Sequence, residues 1–389
     1  MLKARLLSLY LLLTSCFFAK AQSTNPLSLG TEHLIHSEVL DEDRSYWVCL
    51  PEAYGEPANR HKTYPILVVL DGHAHLKYIT GMVNYMSAGY NGNRRIPEMI
   101  VVGVKNVNRN RDFTPDKIIT KRKNDFGGAD PFLQFLEAEL IPQLEQAYRT
   151  EPFRLLFGHS LGGLLATHAY LKEQTLFNAF IAVDPSFGFW DTPKMDEKLA
   201  AVTEESFDRY IYFATANWGK RNFKNRDRHV RLYEGLNSRC TGPFPAKLEY
   251  FENENHGSVP PIAFYNGITA IFDGYGLDYR EVEDKASLLK HFEALSKRLS
   301  YQIHPPEVLV NRMGYRMLRG GTTDKAIEFF TLNTVNFPNS HNAFDSLGEA
   351  YAKAGDKKKA MANYQKSLEL YPANENARAQ LKALKAGGQ

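Results

Sequence analysis

The sequence is poor in cysteine, in net charge and, beyond its first residues, in long apolar runs. Three cysteines in 389 residues are too few for a disulfide framework, and no Cys–His cluster has the ligand spacing of a structural zinc site. Two of them, Cys49 and Cys240, lie beyond the N-terminal segment, and the sequence leaves their pairing open. A net charge of +3, dispersed along the chain, does not favour nucleic acid or a membrane surface as a partner. We therefore expect a globular chain that holds no metal and no cofactor.

The first residues have the pattern of a secretory signal peptide. A basic start and an apolar run over 6–18 precede the segment Ala-Lys-Ala at 19–21, which predicts cleavage before Gln22. The alternative is a lipoprotein box at 13–16, with lipid attached to Cys16, but two phenylalanines directly after that cysteine favour plain export. No later run of about eighteen apolar residues exists, so we expect no transmembrane segment. The predicted location is periplasmic or secreted.

Residues 22–275 alternate between two patterns, which predicts an α/β domain. Short β-rich runs such as YPILVVL, MIVVGV and FRLLFG are separated by helical patterns such as FLQFLEAELIPQLEQAY. Strands that alternate with helices form βαβ units, and these build a mostly parallel sheet with helices on both faces. The length of the chain leaves room for a second domain.

Strand patterns end near residue 275, and an internal repeat follows. A connecting helix is predicted within 276–303, and residues 304–389 show similarity at a spacing of 34, as in Gly321 and Gly355 or in FP at 337–338 and YP at 371–372. That period is typical of tetratricopeptide repeats. Two units are fewer than such repeats normally need alone, so we expect them to pack on the preceding helix or on the α/β domain.

The segment RLLFGHSLGGLLATHAYL places Ser160 within a G-x-S-x-G pentapeptide, between a strand pattern and a helix pattern. A serine hydroxyl becomes a nucleophile when a base removes its proton and a sharp strand-to-helix turn exposes it. Such a turn has no room for bulky flanking side chains, which accounts for Gly158 and Gly162. His159 is the variable residue of the motif. Ser160 is therefore the predicted nucleophile.

The base and the acid are expected downstream of Ser160. His256 follows a predicted final strand, AKLEYF, at the position where a hydrolase delivers its histidine. For the acid we favour Asp227, in the loop after the strand IYFATA. Asp184, directly after the strand FIAV, is the rival, and a Ser–His dyad without an essential acid is the third alternative.

Two backbone N–H groups are expected to stabilise the oxyanion. One is that of Leu161, the residue after the nucleophile, and the other is that of Gly72 or His73 in the loop after LVVL. An ordinary turn at Gly72 is the alternative.

With these residues in place, the chain resembles the putative esterase (esterase D-like) branch of the α/β-hydrolases, which includes the ferric-siderophore esterases. The resemblance covers about residues 37–274. The matching segments, in order, are VVLDGHAHL, VVGVKNVNRNRDFTP, the run from GGADPF to THAYL, FNAFIAVDPSFGFW and ENENHGSV.

The resemblance implies an α/β-hydrolase fold and ester hydrolysis through an acyl-serine intermediate, with Ser160 and His256 as catalytic residues. Members act on siderophore trilactones, acylated sugars, feruloyl or acetyl esters and S-formylglutathione, and export argues against the last, cytosolic substrate. The family usually has Ser-Pro-Ser where this chain has Asp184-Pro185-Ser186. No carboxylate ends FATANWG, so the acid assignment stays open.

A basic loop and an aromatic segment are candidates for substrate binding. The basic residues of the loop are Lys105, Arg109, Arg111 and the run 121–123. They either recognise an anionic or catecholate substrate or form a solvated surface. Trp190, with the aromatic residues just before it, either walls the substrate pocket or packs in the core.

The function predicted from the sequence is therefore an exported serine esterase of siderophore or acylated-sugar esters. Two alternatives use the same sequence differently: acyl transfer to an alcohol by the same Ser/His site, and a scaffold whose repeats bind a partner while the hydrolase domain is inert. The expected partners are a small-molecule ester and, through the repeats, another protein or a second copy of the chain.

Overall fold

The computed structural model of the chain describes residues 28–88, 94–116, 126–172, 176–189, 192–203, 208–219, 223–242 and 245–386. The predicted signal peptide with Cys16, the basic run 121–123 and Trp190 lie outside the described residues.

One sheet forms the centre of the α/β part. Its strands, within the described residues, are β1 (Thr31–Ser37), β2 (Glu42–Cys49), β3 (Tyr64–Val69), β4 (Ile100–Val104), β5 (Thr150–His159), β6 (Ala179–Val183), β7 (Tyr210–Ala216) and β8 (Ala246–Phe251). Their order is β1-β2-β4-β3-β5-β6-β7-β8. The pairs β1–β2 and β2–β4 are antiparallel and the other five pairs are parallel, which confirms the predicted mostly parallel sheet.

Helices cover both faces of this sheet. Those of the α/β part are α1 (Gly72–Ser87), α2 (Arg109–Asp112), α3 (Ala129–Phe135), α4 (Ile141–Ala147), α5 (Leu161–Leu171), α6 (Thr192–Ala200), α7 (Phe223–Asn237), α8 (Val259–Ile271) and α9 (Lys285–Arg298). A π-helical turn, Leu136–Leu140, joins α3 to α4. In β3, Ile66 and Val68 face one apolar core while Leu67 and Val69 face the other. Strands that are buried on both faces read as continuous apolar runs, which explains the sequence pattern.

The C-terminal part is helical and continues the second of these cores. Its helices are α10 (Glu307–Arg319), α11 (Thr323–Asn336), α12 (His341–Lys353), α13 (Lys357–Leu370) and α14 (Glu375–Ala386). Leu309, Val310 and Met313 of α10 belong to the same buried cluster as Ile271 and Phe272. The helices therefore pack on the α/β part, and the predicted domain boundaries stay predictions.

Equivalent contacts recur in these helices after 34 residues. The Cα of Gly314 lies against the Phe330 ring, and that of Gly348 lies against the Tyr364 ring, so that an added Cβ would stand 2.4 and 3.0 Å from those rings. The turns between the paired helices contain Gly321 and Gly355, with φ of 80° and 81°. This geometry repeats as the sequence does, and the tetratricopeptide assignment stays a prediction.

Three further properties of the described residues bear on the sequence analysis. Cys49 and Cys240 are free thiols. None of the helices in the described ranges is long and apolar enough to cross a membrane. The same ranges contain no group of three or more His, Cys, Asp or Glu side chains arranged to hold a metal ion.

Candidate active site

Ser160 lies at the apex of a strained turn between β5 and α5. Its φ of 61° and ψ of −117° are unfavourable for a residue with a side chain, and such strain persists where the surrounding structure imposes it. Here the Ser160 N–H donates to the carbonyl of Val183 over 3.0 Å, while its carbonyl accepts from Leu164 N–H over 3.0 Å. The turn is thus fastened to β6 on one side and to α5 on the other, as a nucleophile elbow requires.

The glycines around Ser160 have different steric roles. A Cβ on Gly158 would stand 2.1 Å from the Gly162 carbonyl oxygen, and one on Gly163 would stand 2.9 Å from that of Val183. A Cβ on Gly162 would come no closer than 3.4 Å to any atom, the nearest being a carboxylate oxygen of Asp71. The predicted steric need for glycine is therefore right at position 158 and wrong at position 162. The Gly162 backbone blocks a side chain at 158, but a side chain at 162 itself would have space, and the second obstructed position is 163.

Gly158→Ala is expected to destabilise the protein by about 3 kcal/mol or more, because the new methyl group meets fixed backbone. Gly162→Ala, the matched control, is expected to change stability by no more than about 1 kcal/mol, since alanine favours helix at a position with space. Urea unfolding of both variants measures the difference. Equal destabilisation by the two substitutions would contradict this assignment.

His256 pairs with Asp184, not with Asp227. His256 Nδ1 lies 2.6 Å from Asp184 Oδ2. Asp184, which is fully buried, follows β6 with a φ of 42°, so the backbone turns the carboxylate toward the loop after β8. Asp227 is exposed on α7, where it lines a shallow surface depression with Val230 and Glu234. The preferred acid assignment is thus corrected in favour of its rival.

The reason for this correction is the adjacency of β6 and β7. The two strands pair in parallel, so their carboxyl ends open on the same side of the sheet and either can carry the acid. The loop after β7 contributes Trp218, whose Nε1–H donates to Asp184 Oδ2 over 2.7 Å, and the Ala216 N–H donates to Oδ1 over 3.2 Å. The β7 end therefore orients the acid that the β6 end supplies.

These contacts keep Asp184 ionised. Burial alone would raise the pKa of its carboxyl, but the hydrogen bond with His256, the nearby His229 and the Ala216 N–H outweigh it and lower the pKa below its usual value. An ionised acceptor at Oδ2 fixes the proton of His256 on Nδ1. The Nε2 atom is then left as a proton acceptor, which is the tautomer that a general base needs.

Two aromatic rings hold His256 in place. Its ring centroid lies 4.5 Å from that of His159 and 4.5 Å from that of Trp218. Burial, together with His256 and His75 nearby, lowers the pKa of His159 to about 3, so that ring is neutral. Sequence reasoning missed the roles of Trp218 and His159; the only local signal was that each adjoins a predicted strand end.

Ser186 is a hydrogen-bond partner of Ser160, the predicted nucleophile. Its Oγ lies 3.0 Å from Ser160 Oγ, and its N–H donates to the Ser160 carbonyl over 3.1 Å. The segment Asp184-Pro185-Ser186 therefore touches both His256 and Ser160. Nε2 of the buried His229 lies 2.7 Å from the Pro185 carbonyl oxygen, and this contact helps to hold the segment in place.

The predicted oxyanion donors lie at two helix N-termini. Leu161 opens α5 and Gly72 opens α1, with His73 next, and first-turn N–H groups have no partner within their own helix. A Cβ at Gly72 would stand 2.8 Å from the backbone of Gly103, so this position needs glycine. Asp71, before Gly72, lies beside the elbow, since a Cβ added at Gly162 would stand 3.4 Å from its Oδ2. The two helix ends are neighbours, and the oxyanion roles stay predictions.

The arginines proposed for substrate binding are engaged within the protein. Arg109 binds both carboxylate oxygens of Asp71, over 2.7 and 2.9 Å, and also donates to the carbonyl of His159 over 3.3 Å. Arg111 binds Glu42, over 3.0 and 2.5 Å, and Asp112 over 2.7 Å. Arg109 therefore joins the helix α1 end to the elbow, while Arg111 holds a neighbouring ion-pair network. Both arginines are thus paired with carboxylates of the protein, and their role in substrate binding stays a prediction.

Several known proteins are similar to the α/β part of this chain. The family model described as "Putative esterase" matches residues 37–233, half of the chain. Ferri-bacillibactin esterase BesA of Bacillus subtilis is 28% identical over 255 residues, which cover 60% of this chain and 86% of that protein. An IroE-like serine hydrolase from Shewanella oneidensis superposes with a TM-score of 0.70 at 26% identity, over 78% of this chain and 99% of that one.

A third similarity extends into the C-terminal helices. An uncharacterised protein from Capnocytophaga ochracea superposes with a TM-score of 0.60 at 18% identity, and the match covers 92% of this chain and 99% of the other. At this identity the likeness concerns the fold alone. It shows that the helical C-terminal part occurs with the same α/β part in another protein.

Proposed function

The chain belongs to the putative esterase family and is a carboxylic ester hydrolase, and from this premise we propose that it cleaves siderophore esters through an acyl-serine intermediate. The observation that carries the mechanism is the arrangement at the carboxyl ends of β5, β6 and β8. There a strained elbow presents Ser160, and the buried Asp184 lies 2.6 Å from Nδ1 of His256. The siderophore substrate is suggested by the ferri-bacillibactin esterase among its relatives.

The mechanism uses the residues described above. As Ser160 Oγ turns from Ser186 toward His256 and attacks the ester carbonyl carbon, Nε2 of His256 takes the hydroxyl proton. The carbonyl oxygen becomes an oxyanion, which the N–H groups of Leu161 and of Gly72 or His73 stabilise. The C–O bond then breaks, and the alcohol leaves with the proton from His256.

The second half of the reaction repeats these proton transfers. A water molecule gives a proton to Nε2 of His256 and attacks the acyl carbon. The bond to Ser160 Oγ breaks, the serine recovers its proton, and the acid is released. Asp184 keeps its charge throughout and stabilises the imidazolium that forms in each half.

We further propose that the chain is exported and that its C-terminal helices form tetratricopeptide-like repeats that bind a protein partner or a second copy of the chain. Export is supported by the sequence pattern of residues 1–21. The repeats are supported by the recurrence of the Gly314–Phe330 contact as Gly348–Tyr364. Reporter fusions to residues 1–21 and sedimentation of the full chain test these two points.

A fluorophosphonate probe and an ester panel test the catalytic proposal. We expect the probe to label the folded protein once, on the peptide that contains Ser160, and the protein to release acid from a ferric siderophore trilactone faster than from acetyl or feruloyl esters. Labelling elsewhere, or none, would contradict the serine mechanism. Hydrolysis of the acetyl or feruloyl esters alone would contradict the substrate, and transfer of the acyl group to an added alcohol in preference to water would reassign the reaction.

A further inference from the structure

A cavity lies at the end of the sheet opposite Ser160, between the α/β part and the C-terminal helices. Its volume is about 290 Å³, and its walls come from the starts of β3 and β5, the segments at 94–98 and 272–275, the segment 301–308 and the turn at 336–339. Glu151 is near the start of β5 and Ser160 follows its end. At about 3.3 Å per residue the cavity is roughly 30 Å from the nucleophile. It is a separate site.

Some of the charges that line this cavity neutralise one another. Lys62 Nζ lies 3.0 Å from Glu98 Oε2. His61 Nε2 lies 3.4 Å from Glu307 Oε2. The other carboxylate oxygen of Glu307, Oε1, accepts a hydrogen bond from the Ser340 hydroxyl. The Lys62–Glu98 pair therefore needs no ligand to satisfy it.

Two opposite charges in the cavity wall lack such partners. Glu151, which is partly buried, accepts hydrogen bonds from the uncharged hydroxyls of Thr63, over 3.1 Å, and Tyr301. Within the described ranges no cation forms an ion pair with Glu151, and no carboxylate forms one with Arg94. Burial raises the pKa of Glu151, as expected for a carboxylate without a counter-ion.

Arg94, Glu151 and Tyr275 all line this cavity. Burial is the main cause of the raised pKa of its hydroxyl, and among the smaller causes Glu151 raises this pKa and Arg94 lowers it. Arg94 and Glu151 thus share one cavity wall, and among the described residues they form no ion pair with each other.

Much of the remaining wall is apolar and includes several aromatic rings, and two buried side-chain nitrogens in it, His61 Nε2 and Asn336 Nδ2, lack a hydrogen-bond partner within the described ranges. The rings of Phe272 and Tyr275 are 6.1 Å apart, and Tyr301 contributes a third ring. The amide nitrogen of Asn336, from the helical part, is buried and has no hydrogen-bond partner among the described residues. Buried polar groups normally have partners, so a donor without one in a cavity wall suits a ligand.

We propose that this cavity binds a free α-amino acid with an aromatic or large aliphatic side chain, its ammonium group toward Glu151 and its carboxylate toward Arg94. A ligand with both charges neutralises both protein groups, whereas a ligand with one charge leaves the other protein group uncompensated. The aromatic rings receive the side chain and add cation–π attraction to the ammonium group. A cavity near the low end of the usual range for ligand sites, about 300 Å³, suits a molecule of this size.

Isothermal titration of the full chain with two amino acids, L-phenylalanine and L-leucine, and with two analogues of phenylalanine tests the proposal. Both amino acids have both charges, whereas 3-phenylpropanoate lacks the ammonium group and phenethylamine lacks the carboxylate. We expect at least one of the two amino acids to bind at least about 10-fold more tightly than either analogue. Equal or tighter binding of an analogue, or no binding of either amino acid, would overturn the proposal.

Variants locate the binding. Arg94→Gln and Glu151→Gln are each expected to weaken amino-acid binding at least about 10-fold. Arg95→Gln is the matched control: this neighbouring arginine is exposed and donates to the Tyr265 hydroxyl over 3.1 Å, so binding should be unchanged. If Glu151→Gln does not fold, Arg94→Gln decides alone, and undiminished binding in it overturns the proposal. The site does not involve Ser160, so this outcome is independent of the catalytic proposal.

Discussion

Replacing Ser160 with alanine is expected to lower kcat for ester hydrolysis by about 10⁶-fold, the scale found when a serine hydrolase loses its nucleophile. The residual rate comes from the oxyanion donors and from substrate binding, which the substitution leaves in place. Because the substrate still enters the site, KM should change little. Steady-state hydrolysis of an activated ester, with burst analysis of the parent protein, measures both quantities.

Ser238→Ala provides the control for this experiment. Ser238 is an exposed serine at the end of α7 and donates to the carbonyl of Gly235 over 3.0 Å, so its loss should leave kcat within about twofold of the parent. Retention of most of the activity in folded Ser160→Ala would refute the acyl-serine mechanism. It would leave the family's ester hydrolysis to be explained by another nucleophile.

Asp184→Asn is expected to lower kcat by about 10⁴-fold, because an amide that donates a hydrogen bond favours the wrong tautomer of His256. The fold should persist, since asparagine has nearly the same size and its oxygen, at the Oδ1 position, can still accept from the Ala216 N–H. KM should change little, because the lost interaction acts on the transition state. A pH–rate profile of the variant adds a second readout that simple loss of packing would not move.

Asp227→Asn is the matched control in the same experiment. Asp227 is exposed on α7, so this substitution should leave kcat within about twofold of the parent. If Asp227→Asn lost activity while Asp184→Asn kept it, Asp227 would be the catalytic acid, as the sequence favoured. Full activity in both variants would favour a Ser–His dyad.

The fold and the strained turn at Ser160 were predictable because their signals are local. Buried parallel strands appear as apolar runs, and the helices between them appear as amphipathic repeats. The elbow around Ser160 is a single turn whose glycines, strand and helix adjoin one another in the sequence. His256 was predictable for a related reason, since the end of the last strand lies at the same edge of the sheet.

The acid was not predictable because its position depends on contacts between distant segments. Asp184 and Asp227 follow neighbouring parallel strands, and nothing in the sequence shows that the backbone at Asp184 adopts a φ of 42°. The contribution of Trp218 from the next strand end is equally non-local. The ion pairs of Arg109 and Arg111 were not predictable for the same reason, because their carboxylate partners, Asp71 and Glu42, lie 38 and 69 residues away in the chain.

The apolar core that α10 shares with the sheet makes the C-terminal helices unequal in how readily they open. Leu309, Val310 and Met313 are held by the large cluster around Phe272, so α10 can separate from the sheet only when that core is disrupted. Further out, the clusters shrink to a handful of buried side chains, and the last one is built around Ala360, Tyr364 and Ala377. Opening therefore begins at α14 and proceeds inward, with α10 joining the global unfolding of the catalytic part.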